Sequence, residues 1–258
     1  MRILTWNVNG LRAALRKGFE RHIERLQPDV MMLQEVRALP DQLPDAWSDP
    51  PDWNVLWHPA EKKGYSGVAT FSRTPLKQLG TGIDGADDPE GRVLLAKTDG
   101  VDLLNIYLPS GSSSDAAQAK KNRWLKMFSP YATALRRRRR PLLLGGDLNI
   151  ARSELDIFHW RSNRNTSGFL PHEREWMDAL VESGWADVIR DRFGPQDGPY
   201  TWWSNRGQAR ALDRGWRIDY MLANAAAARR IRDAFVDREA GLEVSDHAPV
   251  VVDLDPVE

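Results

Sequence analysis

The chain of 258 residues contains no cysteine and carries no net charge. The absence of cysteine excludes disulfides, thiolate metal sites and a cysteine nucleophile, and it is compatible with a reducing cytosol. The sequence has no run of about eighteen apolar residues, which is the length needed to span a bilayer, and no signal-peptide pattern at its start. We therefore expect a cytoplasmic protein of bacterial type that contacts no membrane.

The charge balance, with 36 basic and 36 acidic residues, gives no direct indication of a polyanionic partner. An enzyme that binds a divalent cation gathers acidic side chains at its centre, so a neutral total is also compatible with a basic rim around an acidic site. Eleven tryptophans are present, and Trp202, Trp203 and Trp216 stand beside charged motifs.

Apolar segments rich in Val, Ile and Leu predict mostly buried strands. These segments cover residues 3–8, 30–33, 68–71, 93–96, 103–108, 142–144, 218–222 and 249–254. Apolar spacing and stop signals predict helices over residues 11–26, 115–135, 171–183 and 225–231. The strands outnumber the helices and are irregularly spaced, which favours packed sheets flanked by helices over a repeated βαβ barrel. Without a linker rich in Pro, Gly and Ser, we expect one domain over residues 1–258.

The most informative feature is a set of polar side chains placed where these predicted strands begin or end. Its members are Asn7, Asn9, Glu35, Tyr107, Asp147, Asn149, Asp219, Asp246 and His247. One sheet fold could bring them to a single rim. Carboxylates and amides supply the oxygen ligands that Mg²⁺ prefers, and a histidine can offset phosphate charge, so the set indicates a Mg²⁺-dependent phosphodiesterase.

Asp147 and Asn149 follow three leucines and two glycines, which allow a tight turn that points both side chains to one side. One of them could accept a proton from water while the other positions it. An ordinary turn in which both side chains bond their own backbone is the structural alternative.

His247 is the histidine that directly follows an aspartate, Asp246, and a further aspartate, Asp219, ends another motif. A carboxylate that fixes the imidazole tautomer would leave its other nitrogen free to face phosphate. The Tyr107 phenol could donate to a phosphate oxygen or could simply be a buried, satisfied hydroxyl.

Five consecutive arginines at 136–140 suggest a nucleic-acid tag at first sight. We interpret them as a solvated helix end, where cations meet the negative end of the helix dipole before the strand at 142–144.

Taken together, the motifs resemble those of the exonuclease III family of apurinic/apyrimidinic endonucleases, within the endonuclease/exonuclease/phosphatase superfamily. The resemblance covers nearly the whole chain. The matching stretches are 5–12 (TWNVNGLR), 33–35 (LQE), 64–69 (GYSGVA), 107–111 (YLPSG), 146–151 (GDLNIA), 168–171 (GFLP) with 173–176 (EREW), 200–203 (YTWW), 215–220 (GWRIDY) and 245–249 (SDHAP). The blocks at 168–176 and 200–220 are typical of the DNA-repair members.

This resemblance implies an α/β fold of two packed mixed sheets flanked by helices, a four-layer sandwich similar to deoxyribonuclease I. It implies Glu35 as the main Mg²⁺ ligand, with Asn9 and Asp246 near the metal, and Mn²⁺ as a substitute. Asp147 would deprotonate the attacking water.

In the same resemblance, further side chains assist the chemistry. Asn7 and Asn149 would position water or phosphate, His247 paired with Asp219 would hold a phosphate oxygen, and Tyr107 would stabilise developing charge.

The resemblance also implies double-stranded DNA with abasic sites or 3′ ends as the partner of a monomer. Trp202, Trp216 and Ile218 match pocket-wall positions. Residues that match or suggest DNA contacts are Arg12, Tyr65, Arg92, Asn163 and Arg206. Thr166 stands where the family often has a second asparagine, and the loop after Tyr107 lacks an arginine that some relatives insert into DNA.

The expected activity is Mg²⁺-dependent incision 5′ to an abasic site that leaves a 3′-hydroxyl, with accompanying 3′ exonuclease or 3′-phosphatase activity. Two alternatives stay open. One is a phosphatase or phosphodiesterase of the superfamily that acts on other substrates, and the other is a DNA-binding relative without catalysis.

Overall fold

Two mixed sheets of six strands each form the centre of the molecule. The computed structural model describes residues 1–256, and the last two residues of the predicted domain, Val257 and Glu258, lie outside the described residues. In chain order the strands are β1 (Arg2–Asn7), β2 (Val30–Gln34), β3 (Asn54–His58), β4 (Val68–Ser72), β5 (Lys77–Thr81), β6 (Val93–Thr98), β7 (Val101–Tyr107), β8 (Leu142–Asp147), β9 (Ala186–Asp187), β10 (Asp219–Ala223), β11 (Ile231–Val236) and β12 (Val250–Leu254).

Helices flank both sheets. In chain order they are α1 (Leu11–Arg16), α2 (Phe19–Leu26), α3 (Asp45–Ser48), α4 (Asp115–Arg136), α5 (Trp160–Asn163), α6 (Pro171–Glu182), α7 (Val188–Phe193), α8 (Ala225–Ala228) and α9 (Arg238–Val244). No helix within residues 1–256 is long and apolar enough to cross a membrane.

The two sheets have related topologies. The first has the order β11-β12-β1-β2-β4-β3 and the second the order β5-β6-β7-β8-β10-β9. In the first sheet β1 and β2 run parallel, in the second β7 and β8 run parallel, and the neighbouring strands pair antiparallel. The carboxyl ends of these parallel pairs therefore provide two adjacent edges at which side chains can converge.

Three apolar layers hold the sandwich together. Ile3 and Leu143 lie in the core between the sheets. Leu4, the next residue of β1, faces the cluster that includes Phe19 of α2, and Leu144 of β8 faces Phe128 of α4. Central strands covered on both faces are apolar throughout rather than alternating, which is why the sequence shows them as continuous runs. The predicted four-layer α/β sandwich is confirmed.

A buried polar contact also joins the sheets. Gln34, at the end of β2, donates from Nε2 to Oδ1 of Asn105 in β7 at 2.7 Å, and Asn105 donates to the carbonyl of Ala69 in β4 at 2.9 Å. Gln34 therefore links the two layers, and the adjacent Glu35 reaches the rim.

Several elements differ from the sequence-based expectation. The predicted helix over 11–26 is broken at Gly18, whose φ of 91° ends α1 and starts α2, although the apolar spacing continues across the break. The predicted helix over 225–231 is wrong beyond Ala228, because Ile231 begins β11 and pairs with β12. The strands β3, β5, β9 and β11 were not predicted, since all four lie at sheet edges and β9 is only two residues long.

The arginine run at 136–140 ends a helix, as predicted. Arg136 is the last residue of α4. Arg138 Nη1 and Arg140 Nε contact the two carboxylate oxygens of the buried Asp102 at 2.7 and 2.6 Å. These two arginines therefore attach the helix end to β7.

A buried ion network supports the segment that leads into β10. Arg217 Nε contacts Asp156 at 2.7 Å, its Nη1 contacts Asp187 at 2.8 Å, and Arg190 Nη2 contacts Asp156 at 2.5 Å. Burial alone would raise the pKa of Asp156, but the guanidinium groups of Arg217 and Arg190 outweigh it and lower that pKa to about 2. Breaking one partner of such a network leaves an unpaired buried charge.

This network predicts an acid-dependent loss of stability. Because the pKa of Asp156 falls from 3.8 to about 2 on folding, its contribution is present above pH 4 and is lost as the pH falls towards 2. The loss amounts to about 2 kcal/mol. Urea unfolding of the wild type and of Asp156→Asn should therefore give free energies that converge over this interval. Curves that remain parallel would contradict the assignment.

Candidate active site

Strand direction explains how distant motifs reach one rim. Asn7 ends β1, Tyr107 ends β7 and Asp147 ends β8. Asp219 begins β10, which runs antiparallel to β8, and it lies directly opposite Asp147 in the pairing register. Tyr107 lies opposite Asp147 on the other side. Ends of parallel strands and starts of antiparallel ones therefore meet at the same edge.

The backbone approach that makes this edge possible requires a glycine at position 146. Gly146 has φ of 155°, and a Cβ there would lie 1.8 Å from the carbonyl oxygen of Ile106 in β7. The glycine lets β8 lie against β7 immediately before Asp147.

The centre of the site is a buried group formed by Asp147, His247 and Asp219. His247 Nδ1 lies 2.9 Å from Asp219 Oδ2, and His247 Nε2 lies 3.9 Å from Asp147 Oδ2. All of them are at most 5% exposed. The imidazole is thus fixed by Asp219 on one nitrogen, and its other nitrogen is turned towards Asp147. The pairing of His247 with Asp219 agrees with the expectation, whereas contact of the other nitrogen with phosphate stays a prediction.

The low exposure and the close charges shift the acidity of these groups. Burial raises the pKa of Asp147 most strongly; the cationic His247 lowers it, the carboxylate of Asp219 raises it, and the result is about 7. Burial alone would lower the pKa of His247, but the carboxylates of Asp219 and Asp147 outweigh it and raise that pKa to about 10. Near neutral pH the site therefore combines a carboxylate able to exchange a proton with a cationic imidazole.

Asn7 and Asn149 orient Asp147 from both sides. Asn7 Nδ2 donates to Asp147 Oδ2 at 2.9 Å, and the backbone N–H of Asn149 donates to Asp147 Oδ1 at 2.8 Å. Asn7 is fully buried, and its Oδ1 accepts from the N–H of Asn9. Asn7 therefore positions Asp147, and its expected contact with water or phosphate stays a prediction. Asn149 lines the cleft.

A second polar group lies nearer to solvent. Asp246 Oδ1 accepts from Asn9 Nδ2 at 2.8 Å, and Asp246 Oδ2 accepts from Trp202 Nε1 at 3.2 Å. Burial alone would raise the pKa of Asp246, but His247 and these two donors outweigh it and lower it. Glu35 lines the same cleft, 13% of its side chain exposed.

Three residues that line the cleft have a left-handed backbone conformation. Asn9, Glu35 and Asn149 have φ of 47°, 55° and 51°. Asparagine tolerates this region, whereas glutamate adopts it at a cost of about 1 kcal/mol. The Glu35 carbonyl accepts from the N–H of Gly10 at 2.8 Å, which secures the turn.

These residues line a cleft of about 340 Å³ with two chemically different sides. Trp202, Trp216 and Ile218 form an apolar wall, in which the two indole rings meet edge to face with centroids 6.0 Å apart. The other side chains that line the cleft are polar or charged. They are Asn9, Glu35, Arg37, Tyr107, Ser110, Ser112, Asp147, Asn149, Thr166, Ser167, Asp246 and His247.

Two different sets of side chains could hold a metal ion. Asp147, Asp219 and His247 offer ligand atoms within 4.8 Å of one another. A protonated imidazole has no lone pair for a metal, however, and Asp219 is already hydrogen-bonded to it. Glu35, Asp246 and the amide of Asn9, which line the same cleft, are the better set because all three offer oxygen donors.

Tyr107 completes the polar side of the cleft. Burial and the carboxylates of Glu35 and Asp147 raise the pKa of Tyr107 well above its usual range, so the phenol remains a proton donor. Arg92 stacks on the Tyr107 ring at 4.6 Å and donates to the Tyr65 hydroxyl at 3.0 Å. Arg92 is 4% exposed and also pairs with Glu90, so its position supports the two tyrosines rather than presenting a surface cation.

The remaining predicted DNA contacts lie outside the cleft lining. Arg12 and Arg206 are exposed, Tyr65 is 36% exposed, and Asn163 Nδ2 donates to the carbonyl of His159 at 2.8 Å. Contact of these side chains with DNA stays a prediction. Thr166, at the position of a missing asparagine, does line the cleft.

Arg37 was not predicted from the sequence. It lines the cleft and forms an ion pair with Glu35 two residues earlier. The only signal in the sequence is that a basic residue stands two positions after Glu35, the predicted metal ligand. This signal is weak, because charged residues near strand ends are common at protein surfaces. The ion pair fixes the Glu35 carboxylate at the cleft.

Comparisons with known proteins agree with this geometry. Residues 4–247 match the model of the Endonuclease/Exonuclease/phosphatase family. The Exodeoxyribonuclease of Bacillus subtilis is 36% identical over 97% of this chain and 98% of its own. The 3′ phosphatase NExo from Neisseria, solved bound to a product DNA hairpin, superposes with a TM-score of 0.90 at 31% identity over 99% of this chain and 100% of its own. An AP endonuclease from Archaeoglobus fulgidus superposes with a TM-score of 0.89 at 27% identity over the same shares of the two chains. The chain belongs to the endonuclease/exonuclease/phosphatase family.

Proposed function

We propose that this protein is a Mg²⁺-dependent DNA-repair hydrolase that cuts the phosphodiester 5′ to an abasic site and leaves a 3′-hydroxyl. We further propose that it acts as a monomer on double-stranded DNA and processes 3′ ends through 3′ exonuclease and 3′-phosphatase activities. The observation that carries the proposal is one cleft that joins the Asp147–His247 group to an apolar wall of two tryptophans.

The relatives support both the reaction and the polymer. Their names describe an exodeoxyribonuclease, an AP endonuclease and a 3′ phosphatase with product DNA. A phosphodiester or phosphomonoester of DNA is the reacting group common to these names. Hydrolysis at phosphorus depends mainly on positioning and electrostatic stabilisation, which matches a preorganised rim of donors and carboxylates.

Glu35, Asp246 and Asn9 would hold the cation. Their donors are all oxygens at the cleft, which suits Mg²⁺ and permits Mn²⁺ as a substitute. When bound, the cation would neutralise phosphate charge. Arg37 would then share the Glu35 carboxylate with it or turn towards the phosphate.

The chain's own groups supply the proton chemistry. Asp147, held by Asn7 and Asn149, accepts a proton from the attacking water. His247, fixed by Asp219, holds a phosphate oxygen with the N–H of Nε2. The Tyr107 phenol donates to the charge that develops in the transition state.

The apolar wall explains a preference for a nucleotide without a base. An abasic nucleotide has lost stacking and pairing, so moving it out of the duplex costs less than moving an intact one. Trp202, Trp216 and Ile218 would contact its sugar, while the side chains around them limit the space for a base.

The principal test is incision of a labelled duplex that carries one abasic analogue. Wild-type protein with Mg²⁺ should cut that strand once, 5′ to the analogue, and should cut little in an undamaged duplex or in EDTA. Asp147→Asn keeps the shape of the side chain but removes the base, so its rate should fall by at least about a hundredfold. Asp41→Asn, at an exposed carboxylate outside the cleft, is the matched control.

Equal cutting of damaged and undamaged duplex would reject the abasic assignment. Phosphate release from a soluble inositol phosphate, without action on DNA, would favour the other enzymatic alternative. Tight binding of abasic duplex without detectable turnover would indicate a catalytically inactive DNA-binding protein.

The incision rate should also depend on pH in a defined direction. It should rise as the pH passes about 7, where Asp147 loses its proton, and fall as the pH approaches 10, where His247 loses its proton. Single-turnover rates between these values should form a plateau. A profile that falls on raising the pH through 7 would contradict the assigned roles of both groups.

A further inference from the structure

A buried ion pair beneath the cleft has no part in the proton chemistry. Lys121 of α4 and Glu173 in the first turn of α6 have fully buried side chains, and Lys121 Nζ lies 2.6 Å from Glu173 Oε1. Burying two charges costs several kcal/mol per ion unless hydrogen bonds satisfy the remaining polar atoms. The partners of these two side chains therefore indicate what the pair supports.

Lys121 supports the turn that carries Asn149. Its Nζ also donates to the carbonyl oxygen of Asn149 at 2.9 Å. Asn149 has left-handed backbone, and its N–H donates to Asp147. The lysine thus secures the residue that orients the proposed general base.

Glu173 supports the loop at residues 167–170, which borders the apolar wall at Trp216. Its Oε2 accepts from the N–H of Gly168 at 2.6 Å and from the N–H of Leu170 at 3.1 Å. Gln118 donates to Glu173 Oε1 at 3.0 Å and accepts from the hydroxyl of the cleft residue Ser167 at 2.6 Å.

Gly168 connects the two sides. A Cβ at this position would lie 3.0 Å from the carbonyl oxygen of Asn149 and 3.1 Å from Cζ3 of Trp216. The Gly168 backbone therefore packs between the turn at Asn149 and the apolar wall. The hydrogen bond from its N–H to Glu173 fixes its position.

We propose that the Lys121–Glu173 pair is a positioning element that fixes Asn149 and the Trp216 wall relative to each other. The pair thereby aligns the nucleotide in the cleft with Asp147. This inference rests on the proposed function. Because a misplacement of about 1 Å can cost about a hundredfold in rate, loss of the pair should affect the chemical step more than DNA binding.

The test uses the double variant Lys121→Met/Glu173→Gln, which removes both charges and leaves an amide oxygen to accept from Gly168. We expect a melting temperature close to that of the wild type, because neither charge is left unpaired. The single-turnover incision rate should fall at least about tenfold. The Kd for abasic duplex in EDTA, measured by fluorescence anisotropy, should change less than about twofold.

Two further variants separate positioning from general support. Lys121→Arg keeps a cation that can donate to the Asn149 carbonyl, and this variant should retain most of the wild-type incision rate. Asp178→Asn breaks the 2.7 Å ion pair with Arg152, which joins α6 to the segment just after the catalytic turn without touching Asn149 or Gly168. Its incision rate should match that of the wild type.

If the double variant does not fold, Lys121→Met decides the matter, since it removes the pair and the donor to the Asn149 carbonyl while Glu173 keeps its donors from Gly168, Leu170 and Gln118. A rate reduced at least about tenfold at unchanged Kd would support the proposal. Wild-type rates in the folded double variant or in Lys121→Met would overturn it while leaving the proposed function intact. Absence of incision by the wild type would overturn both.

Discussion

Two carboxylates that share one buried imidazole are the constraint on which the site depends. Asp219 holds His247 in a fixed orientation and keeps it cationic, and this cation in turn stabilises the ionised form of Asp147. Each of these charges lowers the cost of burying its opposite. The hydrogen bonds from Asn7 and Asn149 leave Asp147 one orientation, so the base is aimed before substrate arrives.

The fold supplies this arrangement through strand direction. Parallel strands in the middle of each sheet end at the same rim, and β10 begins there because it runs antiparallel to β8. The sheets are joined by apolar packing and by the Gln34–Asn105 contact, so the Asn7 and Glu35 side of the rim and the Asp147 side form one cleft. Behind the cleft, the Arg217 network and the Lys121–Glu173 pair secure the segments that carry Asp219 and Asn149. Buried ion pairs therefore support the polar residues at the rim.

Much of this could be predicted from the sequence because buried strands and strand-end polar residues leave local patterns. Asp147, Asp219 and His247 were placed in one site from those patterns together with a family resemblance. Edge strands such as β5 were missed because their residues are exposed and polar. The break at Gly18 was missed because an unbroken apolar period hides a change of helix axis. Arg37 and the buried role of Asn7 depend on side-chain partners that are distant in sequence or set by left-handed backbone, which no spacing rule reports.

The most direct test of this account is the protonation state of His247 in metal-free protein, followed by ¹⁵N NMR of the imidazole during a pH titration. A His247→Gln sample would assign its signals among the five histidines. The account predicts that His247 remains doubly protonated at about pH 8 in the wild type and that Asp219→Asn lowers its pKa. A neutral His247 at that pH in the wild type, or a titration unaffected by Asp219→Asn, would contradict the proposed coupling at the centre of the site.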